Sequence, residues 1–456
     1  MLSSWRIRNF KAWQDTGSIK LAPLTVFFGE NSVGKSSLGQ LLLALKQSAG
    51  SSAKQQPLDF GDAQSLIDLG SFAQNLHQGQ LAEPLEFELQ WHLAHELALQ
   101  GLGQQETVLV DELRLQVSVI ADQAQQPEVQ SICYTAYQHG QELFRVSYCA
   151  TQGAELQVQI CQPQAQSYSI ALADAASPER FYQLPAAQQL DAAFINALAL
   201  QTQSVLADFH SLAALRAAPQ RRYAWTGEAP VSVGRAGESA AVAVLAATAE
   251  QRTLQFAADQ PELPFAQGIA YWLKHMGVAN DFAIRPAADA SDEYQVLLKN
   301  HADACEVNLA DLGFGVSQLL PVIVQAFYAQ PNSTLWLEQP EIHLHSQVQA
   351  GLADLFIAAT QAKEAGQARN VQIIVESHSE HFLNRLQRRI AEGVISHEDV
   401  ALYFCSRTGM QTQIEDLAVD TYGEIANWPE NLFGDEMTDI AARAMAAVQR
   451  KRQQNN

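Results

Sequence analysis

Nine residues constrain this chain more than any others: GENSVGKSS, positions 29 to 37. They place Gly29, Gly34, Lys35 and Ser36 at the spacing of a glycine loop that wraps phosphate oxygens. Upstream, LTVFF (24 to 28) is a short apolar run that reads as a buried strand, and downstream SSLGQLLLALKQS carries apolar residues at helical spacing. Glycines let backbone N–H groups turn inward, and the following helix N-terminus favours negative charge. Lys35 is expected to reach the β- and γ-phosphates, and the Ser36 hydroxyl to ligate Mg²⁺. The alternative is a Gly/Ser-rich turn with a chance lysine, but residue types, spacing and both flanks agree on a nucleoside triphosphate cradle. Its ATP-binding residues are read as Gly29, Asn31, Ser32, Gly34, Lys35, Ser36 and Ser37.

Composition narrows what such a cradle serves. The 456 residues suffice for two or three ordinary domains, or for one domain with large insertions. With 28 basic against 49 acidic residues the formal charge is −21, opposite to that of a protein that coats nucleic acid over a broad face. Any nucleic-acid contact is therefore local. The candidate spots are WRIRNFK near the start, QRRY at 220 to 223, RLQRR at 385 to 389 and RKR at 450 to 452, each also readable as a solvated surface cluster. Five cysteines without C-x-x-C spacing argue against a zinc site or disulfide framework. No signal-peptide core opens the chain, and the longest apolar stretch, SQLLPVIVQAFYA, is too short to cross a bilayer. A cytoplasmic protein with no membrane contact is expected.

The pattern along the chain suggests four parts. Residues 1–80 read as strands, the phosphate loop, its helix and a mixed segment. Residues 81–175 read as an antiparallel β insertion, from six runs of alternating hydrophobicity that begin with LEFELQW and end with YSIALA. Residues 176–300 are Ala/Leu-rich and mainly helical, broken by the polar stretch APQRRYAWTGEAPVSVGRAGES. Residues 301–456 resume a strand–helix alternation. That alternation, taken from YQVLLK at 294 onward, implies parallel β-α units returning to the first sheet. The fold class expected is α/β, a P-loop nucleotide-binding fold split by a β-rich and helical middle section. No heptad run supports a long coiled coil.

A phosphate cradle needs an acid for Mg²⁺ and a group that positions the attacking water. STLWLEQPEIHLH (333 to 345) offers Glu338 at the end of an apolar strand, where ligands of α/β sheets bind. Here the chain resembles the ABC-type ATPases of the SMC, RecF and OLD kind. IRNFKAW with LTVFFGENSVGKSS resembles the N-terminal half, and DLGFGVSQLLPVIVQA (311 to 326) the signature segment. LWLEQPEIHLH resembles the Walker B strand and D-loop, and IIVESHSEHFLNRL (373 to 386) the switch-histidine segment. EIANWPENLFGDEM (424 to 437) further resembles a prokaryotic subgroup with a tail of unknown role.

The resemblance implies a head-to-tail dimer or larger oligomer in which ATP at one phosphate loop is covered by the partner's signature segment. Gly313, Gly315, Ser317 and Gln318 would then contact the partner's γ-phosphate. Glu338 and Ser36 would hold Mg²⁺, and His378 would read the γ-phosphate. Most relatives carry a glutamate where this chain has Gln339, and an amide orients water without accepting its proton. Hydrolysis is therefore expected to be slow, or Glu341 supplies the carboxylate. A metal centre at Glu341, His343, His345, His378 and His381 is the rival reading of the histidines. Relatives with fused nucleases carry a long domain after the switch histidine; residues 387–456 are too few, so no nuclease is expected. The favoured function is the sensor or scaffold subunit of a prokaryotic antiviral defence system that controls a separate effector protein. The alternatives are a RecF-like DNA-repair clamp and a structural, ATP-stabilised assembly with little turnover.

Overall fold

The computed structural model describes residues 1–51, 56–100, 107–152, 155–162, 165–172, 178–186, 193–258, 260–288, 292–409 and 411–429, with 442–443, 445–446 and 450 beyond them. The tail from 430 to 441 and the 451–452 part of the basic RKR lie outside these residues.

Among the described residues two sheets dominate. The first has six strands in the order Phe209–Leu212, Thr334–Glu338, Gln372–Glu376, Leu24–Gly29, Val400–Thr408, Gln411–Asp416. The first five run parallel and the last is antiparallel to its neighbour. Its three central strands are nearly continuous buried runs, as a sheet covered on both faces demands. Alternate residues divide between two cores. Phe27, Trp336, Ile374 and Tyr403 face the phosphate-loop helix (Lys35–Gly50) and the second sheet. Val26, Phe28, Leu335, Leu337, Ile373 and Val375 face a helical layer that includes Phe314–Tyr328, Ser346–Gln361 and Glu380–Ala391. Phe27 stacks between Trp336 and Tyr403, with ring centroids 5.6 and 5.4 Å away. Burying each such ring is worth about 1.5–3 kcal/mol.

The second sheet is antiparallel and runs from Gln166–Ala171 through Glu155–Ile160, Gln141–Cys149, Pro127–Gln138, Val108–Ala121 and Leu85–Leu99 to Leu2–Phe10. Its strands alternate, with one face in the core and the other carrying ion pairs such as Arg8–Glu86 and Arg114–Glu88. The segment 81–175 is thus not a separate layer. It extends a sheet that the N-terminal strand Leu2–Phe10 begins, because that strand pairs with Leu85–Leu99.

Two expectations need correction. YQVLLK lies in the strand Glu293–Lys299, which does not return to the parallel sheet; it pairs antiparallel with Asp281–Pro286 in a small sheet of its own. Alternating apolar residues suit either sheet, and only pairing decides. Conversely, the stretch read as mainly helical contributes Phe209–Leu212 as a parallel edge strand beside Thr334–Glu338. That strand is four residues long, too short for a hydrophobic period to register. Among the described residues no helix is long and apolar enough to cross a membrane.

Candidate functional site

The carboxyl ends of the parallel strands converge on the phosphate loop. Gly29 closes its strand at φ 139°, and a Cβ there would fall 2.1 Å from the Cys405 carbonyl oxygen, so no side chain fits. Ser32 and Gly34 also take positive φ, 63° and 101°. Gly34 is braced from outside, since its carbonyl accepts a 3.0 Å hydrogen bond from Trp13 Nε1. The helix Lys35–Gly50 starts there with no side-chain cap, which leaves first-turn N–H groups for an anion. Lys35 is folded beneath the loop, its ammonium donating to the carbonyls of Gly29 (2.8 Å) and Glu30 (2.7 Å). Burial holds its pKa below the usual lysine value. The hollow above is lined by Lys11, Asn31, Ser32, Ser36 and Gln339 among others.

Ser36 finds an acid that sequence reasoning missed. Its hydroxyl donates to Glu376 Oε2 at 2.7 Å, while Trp336 Nε1 donates to Glu376 Oε1 at 2.6 Å. Glu376 lies opposite Glu338 in the register of adjacent strands. Burial, and then the Glu338 charge, push the Glu376 carboxyl up to about 7. Burial also raises the pKa of Glu338. Two confined carboxyls and a hydroxyl are hard oxygen donors whose repulsion a divalent cation would relieve, so the set fits Mg²⁺. The signal was available: IIVE ends on an acid after an apolar run, as LWLE does.

Gln339 lines the hollow with a left-handed backbone, φ 41°, and its N–H donates to the Glu376 carbonyl at 2.9 Å. Glu341 is buried and accepts from the His378 backbone N–H at 2.6 Å, while its other oxygen has no partner. Burial raises its pKa. His378 Nε2 is likewise buried and unpartnered, and burial followed by the Lys35 charge pulls that imidazole down to about 4. It is neutral at physiological pH. Buried polar atoms without partners call for an occupant, and here two of them belong to the residues that the sequence singled out.

The other histidines hold local posts. His345 caps the helix Ser346–Gln361, and the His343 ring lies against Phe314. Among the described residues no three His, Cys, Asp or Glu gather in a way that could hold a metal, so the histidine set does not come together as a centre.

Gly313 and Gly315 stand at the exposed start of the helix Phe314–Tyr328, with Phe314 between them 72% exposed. Ser317 and Gln318 are buried, and the Ser317 hydroxyl donates to the Phe314 carbonyl at 2.9 Å. Only the glycines of that quartet are at the surface of the single chain. Arg216, which the sequence did not flag, lies buried against the acid strand. Its guanidinium donates to the carbonyls of Glu338 (3.0 Å), Gln339 (3.2 Å) and Ala214 (3.0 Å).

Among the described residues, the arginines of the first three basic spots are paired with acids. Arg6 and Arg8 pair with Asp15, and Arg8 also with Glu86. Arg221 pairs with Asp311 and Arg222 with Glu293. Arg385 and Arg389 share Asp354, and Arg388 pairs with Glu392.

A parallel sheet whose glycine loop opens a helix, with acids ending two neighbouring strands, defines the P-loop ATPase fold. Residues 267–383 match the AAA ATPase domain family, a span that holds Gly313, Glu338, Gln339, Glu341 and His378 but not the phosphate loop. Residues 395–442 match a protein family of unknown function (DUF3696). No curated protein matches the chain. Among solved structures it is similar to an SMC head bound to the C-winged helix domain of ScpA, at 10% identity over 92% of this chain and 98% of that one, TM-score 0.38. It is similar also to the SMC head domain from Thermotoga maritima, at 10% identity over 92% and 99%, TM-score 0.36. The Smc head with an extended coiled coil, bound to the C-terminal domain of ScpA derived from Pyrococcus furiosus, aligns at 10% identity over 91% and 96%, TM-score 0.40.

Proposed function

We propose that this chain is an ATP-binding, slowly hydrolysing ATPase that works by ATP-gated head-to-tail self-association. The observation that carries the reading is the pair of buried, unpartnered atoms, His378 Nε2 and one Glu341 oxygen, beside a phosphate loop with its lysine in place. In this reading the loop N–H groups and Lys35 bind the phosphates, and His378, neutral, hydrogen-bonds the γ-phosphate. Ser36 and Glu338 would hold Mg²⁺ with Glu376 beside them, and the ion would neutralise phosphate charge. Gln339 orients the attacking water, and Glu341 is the carboxylate available to take its proton. A buried carboxyl with a raised pKa suits a base near neutral pH.

Exposed Gly313 and half-buried Gly315 suit close approach of a second chain's phosphates to backbone. An aromatic as exposed as Phe314 suits burial in such a contact. At the level of the cell we favour a sensor or scaffold subunit of a prokaryotic antiviral defence system, acting on a separate effector in the cytoplasm. The paired arginines of the basic spots weigh against the alternative of a DNA clamp.

Single-turnover ATP hydrolysis with Mg²⁺, alongside light scattering, tests the reading. Gln339→Glu should raise the rate about 10-fold or more, and Glu341→Gln should lower it by a similar factor. Gly315→Arg should leave the fold intact and abolish ATP-dependent association. Rates indifferent to both site substitutions, or association that persists in Gly315→Arg, would overturn the corresponding half of the proposal.

A further inference from the structure

The turn after the acid strand is held by a residue from outside the strand–loop–helix framework. Gln339 adopts φ 41°, a left-handed conformation that costs a non-glycine residue on the order of 1 kcal/mol or more. Such a conformation persists only where its surroundings over-determine it. Four hydrogen bonds do so: the Gln339 N–H to the Glu376 carbonyl, the Ile342 N–H to the Gln339 carbonyl, and the two guanidinium bonds from Arg216 to the carbonyls on either side of the Gln339 nitrogen and Cα, those of Glu338 and Gln339.

Arg216 reaches there because Phe209–Leu212 is the parallel edge strand beside Thr334–Glu338, so the chain leaving it passes the same end of the sheet. A third bond, to the Ala214 carbonyl, fixes the guanidinium to its own loop. The charge has company: Glu341 and Glu338 are the carboxylates that attract it, while burial pulls its pKa down to about 10, still far above neutrality. The residues on both sides of Arg216 are anchored in turn, since Ala213 N–H bonds the Arg235 carbonyl and Ala217 N–H that of Ala236. Arg216 is therefore a fixed cation on a braced segment.

We propose that Arg216 is a positioning residue for ATP hydrolysis: its guanidinium fork locks the left-handed turn at Gln339 and so sets where Gln339 and Glu341 stand relative to the phosphate loop. This rests on the hydrolytic reading of those two residues. The fork, rather than charge alone, performs the task, because two carbonyls one residue apart need two N–H donors held in a plane. Lysine keeps the charge and loses the fork.

The test compares wild type, Arg216→Gln and Arg216→Lys as full-length chains. ATP affinity by calorimetry, single-turnover hydrolysis, and nucleotide-free amide exchange of the 338–344 segment are measured together. Expected for Arg216→Gln is ATP affinity within about threefold of wild type and a hydrolysis rate reduced about 10- to 100-fold, the cost of a misplaced reacting group. Amide exchange at 338–344 should rise while the 35–50 helix is unchanged. Arg216→Lys should recover little of the rate although it keeps the charge. Should Arg216→Gln fail to fold, Arg216→Lys decides: a wild-type rate and wild-type exchange in that variant overturn the role of the fork. Equal rates and exchange in a folded Arg216→Gln overturn the proposal outright. If wild type binds ATP without hydrolysing it, the hydrolytic reading fails, and the exchange measurement still judges whether Arg216 locks the turn.

Discussion

The parallel and antiparallel sheets are built from similar residues and do opposite work. In the parallel sheet, strands such as Leu24–Gly29 and Gln372–Glu376 are buried on both faces; Thr25 and Gln372 near their amino ends are hydrogen-bonded within the fold, and the carboxyl ends carry the groups of the site. Those ends meet in one place, which is why Ser36, Glu338, Glu376 and His378 share a site. In the antiparallel sheet, strands such as Glu155–Ile160 alternate strictly between core and solvent. Their polar groups spread over a whole face and pair there with one another, as Arg114 does with Glu88 and Gln90 with Glu112. Concentrating polar groups at strand ends leaves some without partners and ready for a ligand. Spreading them over a face lets neighbouring strands satisfy most of them.

The contrast can be broken most forcefully at Lys35. Lys35→Ala should lower ATP affinity at least 100-fold by calorimetry while the thermal midpoint moves only a few degrees, because the phosphates lose their cation but the sheet keeps its core. Undiminished affinity would remove the phosphate loop from the site. The converse experiment is Trp91→Ala in the antiparallel sheet, where the indole is almost fully buried. It should cost about 3–5 kcal/mol in urea unfolding and leave the ATP affinity of the folded protein unchanged. A large loss of affinity there would mean that the two sheets are coupled.

A smaller effect belongs to His210, on the parallel edge strand. Burial, with Lys46 adding to it, pulls this imidazole from 6.5 down to about 4. Between those values the unfolded chain binds a proton that the native chain refuses, so stability present above pH 6.5 is lost as pH falls toward 4. From pH 7 to 5 this one group should remove roughly 2 kcal/mol, and His210→Gln should flatten that slope in urea midpoints. An unchanged slope would show that the edge strand admits water. The smallest effect lies on the solvated face of the antiparallel sheet. Arg8→Ala, which breaks the pairs with Glu86 and Asp15, should change stability by about 0–1 kcal/mol and leave ATP affinity alone.

Legibility followed the same division. GENSVGKSS could be read because its function is written in consecutive residues, and LWLE because an acid interrupts an apolar run. IIVE carries the same mark, but the histidine two residues on is the more distinctive signal in that segment. Arg216 carried no local mark at all. It sits in an Ala/Leu-rich run just ahead of the polar stretch, and its importance comes from the four-residue strand before it, too short to announce itself. YQVLLK erred in the other direction, since an apolar strand does not say which sheet it joins.

The sequence by itself determined the phosphate loop, its strand and helix, the acid at Glu338 and the amide at Gln339, because each depends on neighbours within a few positions. Only the tertiary structure decided that Glu376 faces Ser36, that one Glu341 oxygen and His378 Nε2 are buried and unpartnered, and that Arg216 grips the turn at Gln339. Those facts depend on strand order and register. The parallel sheet takes its neighbours from positions 24, 209, 334, 372 and 400, and contacts over such separations are set by how whole strands pack, not by the pattern along any one of them.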